Sequence, residues 1–168
     1  MNGVHVHLLL NHIPILGTLF ALILLGFGYF LRQEILAKAA LWTLVVSALV
    51  SIPSFLSGEE AEHAVEGIIG VSMVTVEEHE EQAEVAYWAI LISGAIALGT
   101  LLASMKGGTL NRTLLLLNLF FMTVTFALMA RAGNSGGTIR HPEIHATGQT
   151  QGEGQSATSD DEQHEHGE

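Results

Sequence analysis

The sequence predicts an all-α protein. It reads as a four-transmembrane-helix, up-down-up-down bundle, with helices two and three extended into the periplasm and a disordered acidic tail. Apolar residues fill 8–56 and 85–130, whereas acid gathers in 57–84 and 143–168. The chain is therefore 49% hydrophobic and yet carries a formal net charge of −11. A soluble globule mixes the two kinds of residue along amphipathic elements, and such segregation marks a membrane protein with polar loops.

At 168 residues the length suits one membrane domain, 1–145, followed by a polar tail, 146–168. The first apolar run, 8–31, is long enough to cross a hydrocarbon core of about 30 Å. It lacks the positive flank and small-residue cleavage site of a secretory signal, so it is expected to be retained. Pro14 either kinks this helix or marks its first turn. The second span is expected over 39–56, after a turn at 32–38, and good helix formers carry it outward to Gly67. Thr75-Val-Glu-Glu78 matches a capping box, which predicts a third helix from Val76 to Ser104 whose first turns are acidic. The fourth span is expected over 113–130, stopped by Gly133-Asn-Ser-Gly-Gly137. Beyond it, ATGQTQGEGQSATSDDEQHEHGE cannot bury apolar surface and reads as disordered.

Four spans put both termini on one side. The turns on the other side, 32–38 and 105–112, hold four of the six Lys and Arg, which makes that side cytoplasmic. All nine histidines and all acidic residues except Glu34 then lie on the periplasmic side. Six basic residues leave no surface for nucleic acid. With no Cys, thiolate metal sites, iron–sulfur clusters and covalent haem attachment are excluded. Any metal must be held by His, carboxylate, Met or backbone oxygen. No nucleotide-binding or hydrolase motif is present.

The histidines are the candidate ligands, since neutral imidazole suits haem iron and many divalent metals. His12 lies where the chain meets the membrane, a position where an ionisable group is a functional candidate. It shares a helical face with His5, while His7 points elsewhere. His79 heads a small-residue stripe with Ala83, Ala86, Ile90 and Gly94, and Glu77, Glu81, Glu84 and Trp88 run down another face. Glu60 and His63 form a Glu-x-x-His pair on one helical face; di-iron bundles use that motif twice, and here it occurs once. Arg140 and His141 follow the fourth span, where Arg140 either pairs a haem propionate or balances the acidic surface. His164 and His166 sit in the tail and carry no assigned role.

Several runs together carry a resemblance: His7-Leu-Leu-Leu-Asn-His12-Ile-Pro14-Ile-Leu-Gly17, Ser57-Gly-Glu-Glu-Ala-Glu62, Glu78-His79-Glu80 and Gly137-Thr-Ile-Arg-His-Pro-Glu143. The chain resembles a family of small bacterial four-helix membrane proteins that carry a domain of unknown function, over roughly residues 5–145. Its histidine placement is similar to that of b-type cytochromes, although here the histidines lie at or beyond the ends of the spans.

Two functions are thereby expected. The first is a haem b or metal-binding electron-transfer subunit at the periplasmic face of the bacterial inner membrane. His12 and His79 would be the axial pair, with His63 or His141 as alternates. His7, His12, Glu60, His63 and His79 are the candidate ligands for a non-haem divalent metal. Quinol, a periplasmic cytochrome and other membrane-complex subunits are the expected partners. The second is a cofactor-free accessory subunit that docks a partner through the acidic hairpin. Periplasmic metal capture by that hairpin is a weaker third.

Overall fold

The computed structural model of the chain describes residue 7 and residues 9–65, 73–107 and 109–140; the side chains of 59–65, 106, 107 and 138–140 lie outside that set. Four helices account for it: α1 (His12–Phe30), α2 (Glu34–Val65), α3 (Met73–Gly107) and α4 (Arg112–Arg140). Each is long and apolar enough to cross a membrane. They pack as a ring, α1 on α2, α2 on α3, α3 on α4, with α4 closing back on α1.

The boundaries follow from local chemistry, and three differ from expectation. Pro14 falls in the first turn of α1, where its missing N–H removes no bond the helix needs. The turn to α2 is shorter than 32–38. Arg32 takes a left-handed conformation, φ 57°, and Gln33 N–H reaches back to the Gly28 carbonyl at 2.9 Å. That closure satisfies the last carbonyls of α1, so α2 starts at Glu34.

Helix α2 runs unbroken past Pro53 to Val65. Pro53 is exposed, so the ring and the carbonyl it leaves unpaired, that of Leu49, face away from the bundle. Helix α3 already exists at Met73, so Thr75 lies inside its first turn rather than capping it. Where α3 begins to be capped, 66–72, lies outside the described residues. At the start of α4 the Asn111 side chain accepts the Thr113 N–H at 2.8 Å, which is the N-cap. The largest departure is at the other end of α4, which continues through Gly133–Gly137 to Arg140. Glycine lowers helix propensity by about 1 kcal/mol, but tertiary contact overrides it here.

The core is one side chain thick. Leu25, Leu41, Leu44, Ile90 and Met122 are fully buried, joined by Ala21, Ala40 and Ala97. Small residues set the helix spacing. A Cβ on Gly17 would collide with Ser47 Oγ, and one on Gly94 would stand 2.6 Å from the Ala48 Cβ. Adjacent residues of α2 thus enter notches on α1 and α3. Between α3 and α4 the contact is polar instead: Ser93 Oγ and Thr125 Oγ1 are 2.7 Å apart, and Asn118 Nδ2 donates to Thr100 Oγ1 at 2.8 Å. Outward, Phe20, Phe27, Trp42, Leu49, Trp88 and Phe120 are exposed, as suits lipid contact.

Candidate functional site

At the end of the bundle where α3 begins, all four helices bring polar groups together. The chain before α1 is a helical turn, with Asn11 N–H bonded to the His7 carbonyl at 2.9 Å. His7 precedes Pro14 by seven residues, and Pro14, Ala21 and Gly28 are all buried. That spacing keeps His7 on the inner face. Its Nδ1 lies 3.0 Å from the carbonyl oxygen of Ser54 on α2. A carbonyl only accepts, so this bond requires the proton on Nδ1. Gly58, one turn on, borders the ring: a Cβ there would make ordinary contact with His7 Cε1 and Nδ1 at 3.5 Å.

His79 is the second member. It lies on the inner stripe of α3 with Ala83, Ala86, Ile90 and Gly94, all partly or fully buried, while Glu77, Glu81, Glu84 and Trp88 are exposed. His79 Nδ1 is 3.0 Å from Ser135 Oγ on α4, and Ser135 Oγ donates to the Ala132 carbonyl at 2.9 Å. Ser135 thus joins the His79 ring to the Ala132 carbonyl. The imidazole lies against the backbone of Gly136, where a Cβ would come within 2.9 Å of Cε1. This contact accounts for glycine at position 136: a side chain there would meet the ring.

Burial pushes the His79 pKa below its ordinary 6.5; a hydrogen bond to the Ala132 carbonyl opposes this, and the charge of His7 adds to the lowering. The ring is neutral at neutral pH, and His7 lies within electrostatic reach of it. One turn along α3, on the same face, Gln82 Oε1 is buried and has no hydrogen-bond partner among the described residues. Phe55 of α2 stacks on Tyr87 of α3 with centroids 4.3 Å apart, which braces the two helices beneath the site.

His12 does not join this pair. His12 is exposed, and its Nδ1 bonds the Asn11 side-chain oxygen. It does not face the interior; His7 takes that place, because five residues of helix turn the two rings to different faces. Glu60 and His63 lie in α2 and Arg140 ends α4, but their side chains lie outside the described set. His141, His164 and His166 lie outside the described residues altogether. Among the described residues, no three His, Cys, Asp or Glu side chains gather to hold a metal ion.

Sequence reasoning missed Ser135, Gly136 and Gln82, and it put His12 rather than His7 on the inner face. The α1 run is apolar all round, which hides its inner face. The small or kinked residues at seven-residue spacing from His7, namely Pro14, Ala21 and Gly28, were the available signal. At the opposite end, Tyr29, Arg32, Glu34, Thr109 and Arg112 line a cleft of about 440 Å³, with the Arg112 guanidinium 4.4 Å from the Tyr29 ring centroid. Its arginines belong to the basic turns, and it lies at the far end of α1 from His7.

No family model, no curated protein and no solved structure matches the chain.

Proposed function

We propose that the protein is a membrane redox subunit that holds haem b or a metal ion at one face of the bilayer. The observation that carries the reading is the pair His7 and His79 at one end of the bundle, with His7 Nδ1 on the Ser54 carbonyl and His79 Nδ1 on Ser135 Oγ. Metal-ligating histidines are held in this way, by a hydrogen bond from the other ring nitrogen to a carbonyl or hydroxyl. The reading includes an up-down-up-down bundle in the bacterial inner membrane with both termini periplasmic. The charge bias of the turns supports that orientation. Helices α2 and α3, at 32 and 35 residues, exceed the roughly 20 that a membrane requires. Their surplus would form the acidic periplasmic hairpin. Electrons would pass to or from quinol or a cytochrome drawn to that acidic surface.

The test is a reduced-minus-oxidised visible spectrum of protein purified in detergent, run beside total metal analysis. Haem bands with one iron per chain, or a stoichiometric transition metal, are the expected results. A colourless and metal-free protein that takes up neither hemin nor metal ends this reading.

One observation favours a second reading, a cofactor-free accessory subunit. Aromatic residues such as Phe20, Phe27, Trp88 and Phe120 are exposed on three helices, and such a surface suits partner helices as well as lipid. Co-purification of stoichiometric partners with a cofactor-free chain would favour it.

A further inference from the structure

Independently of the redox reading, we propose that the cleft at the end of the bundle opposite His79 holds the phosphate of an anionic phospholipid between Arg32 and Arg112. The placement of the cleft, its charge and its rim carry the inference.

All four helices are long and apolar enough to cross a membrane, and the cleft lies where α1 ends at Phe30 and where α2 and α4 begin, at Glu34 and Arg112. In either orientation of the chain, that level is the headgroup layer of one leaflet. The volume of about 440 Å³ falls within the ~300–1,000 Å³ common for small-molecule sites. Tyr29 lines the cleft, as suits a tyrosine at a membrane–water interface, and holds the Arg112 guanidinium over its ring at 4.4 Å from the centroid.

The charge of the cleft runs against that of the chain. Acidic residues outnumber Lys and Arg by seventeen to six, yet two of the six arginines and lysines line this one cleft. Among the described residues that line it, Glu34 alone is acidic, and Lys38 Nζ neutralises its carboxylate at 2.8 Å. Neither Arg32 nor Arg112 has a carboxylate partner among the described residues. Two uncompensated guanidiniums therefore face one space, and their planar forks match phosphate oxygens. Arg112 also opens α4, whose first turn carries no acid, so this cation stands at the positive end of the helix dipole. Arg32 keeps its side chain at φ 57°, just past α1, where glycine is the usual residue. A bound anion offsets the first conflict and gives the second side chain a charge-assisted partner.

The rim selects a lipid. Phe30, Leu31 and Ile35 are exposed and adjoin Tyr29, Arg32 and Glu34 along the chain. A soluble phosphate ester gains nothing from such a rim, whereas acyl chains lie along it. The headgroup must carry net negative charge, because no unpaired carboxylate lines the cleft, among the described residues, to receive the ammonium of a zwitterionic lipid. Basic pockets between membrane helices bind anionic headgroups by this chemistry.

The experiment titrates delipidated full-length protein in detergent with phosphatidylglycerol, and separately with phosphatidylcholine and with glycerol 3-phosphate. Native mass spectrometry counts bound lipid and ranks the affinities. The variants are R32Q, R112Q and the two together, with R131Q, an exposed arginine towards the other end of α4, as the control; circular dichroism reports folding. One phosphatidylglycerol per chain is expected, preferred over phosphatidylcholine by at least ~10-fold, with each variant weakening it about 5-fold, the pair about 25-fold, and R131Q not at all. Should R32Q fail to fold, R32G, whose backbone suits this conformation, takes its place. Equal binding of the two lipids, a preference that survives the double variant, or one lost equally with R131Q overturns the proposal. Displacement of the lipid by an equal concentration of glycerol 3-phosphate overturns the lipid and assigns the cleft to a soluble phosphate ester. None of these outcomes bears on the histidine pair, so the redox reading stands or falls separately.

Discussion

The Ser135 hydroxyl lies 3.0 Å from His79 Nδ1 and 2.9 Å from the Ala132 carbonyl. One serine on α4 thereby holds a histidine on α3. Ser135→Ala removes this hydrogen bond while leaving the ring seated on Gly136. We expect metal affinity to fall ~10-fold, the usual effect of losing such an orienting bond, with little change in helix content. Titration with hemin and with divalent metal ions, beside circular dichroism, checks it. Unchanged affinity would show that the serine does not orient the ring.

The pH dependence of the metal-free protein follows from His79. Burial, first, lowers its folded pKa below the unfolded 6.5. Between those two values the unfolded chain binds more protons, so stability rises with pH there. The contribution is complete above about 6.5 and is lost as pH falls through the folded value. Thermal unfolding from pH 7.5 down to 5 should show a decline that is shallower in H79Q. Parallel profiles for the two proteins would contradict the assignment.

Glycine size should matter at some positions and not at others. Gly94→Ala places a methyl 2.6 Å from the Ala48 Cβ, whereas Gly99→Ala meets nothing within 4 Å. The first should destabilise by about 1–3 kcal/mol through overpacking. The second should be neutral or stabilising by up to about 1 kcal/mol, since alanine is the better helix former. Denaturant-induced unfolding in detergent distinguishes them, and equal effects would rule out the notch.

The bond between Ser93 and Thr125, at 2.7 Å, is buried on both sides. A double-mutant cycle with Ser93→Ala and Thr125→Val should give a coupling of about 0.6 kcal/mol and no more than about 1.7 kcal/mol. Zero coupling would mean that each hydroxyl finds another partner equally well.

Arg32 holds φ at 57°, a conformation costing a non-glycine residue about 1–2 kcal/mol. Arg32→Gly should therefore raise stability by about 1 kcal/mol. A fall in the unfolding midpoint would show that the side chain contributes more than its backbone costs.

Much of the bundle was legible in the sequence because its signals are long. Four apolar runs of membrane length need no neighbour to be recognised, and the inner stripe from His79 to Gly94 follows helix spacing alone. The site itself was half legible. His79 stood out because acids mark the opposite face of α3, whereas no polar residue marks the outer face of α1, and so His12 was favoured over His7. The ends of α3 and α4 were misjudged for one shared reason. A Thr-x-x-Glu spacing and a glycine run are local cues, and helix runs through both: α3 is already formed at Met73, and α4 continues past Gly136, whose bare backbone lies against the His79 ring. No one-residue signal foretold that Ser135 would meet the imidazole.

The bundle has two kinds of seam. Residues 47 and 48 of α2 enter notches on both flanks, where fit depends on volume. Between α3 and α4 hydroxyls and an amide meet, where fit depends on donors and acceptors. A drifting sequence therefore obeys two separate rules. Along α2 it tolerates a change of polarity more readily than an added methyl, and between α3 and α4 it tolerates a change of size more readily than a lost hydroxyl.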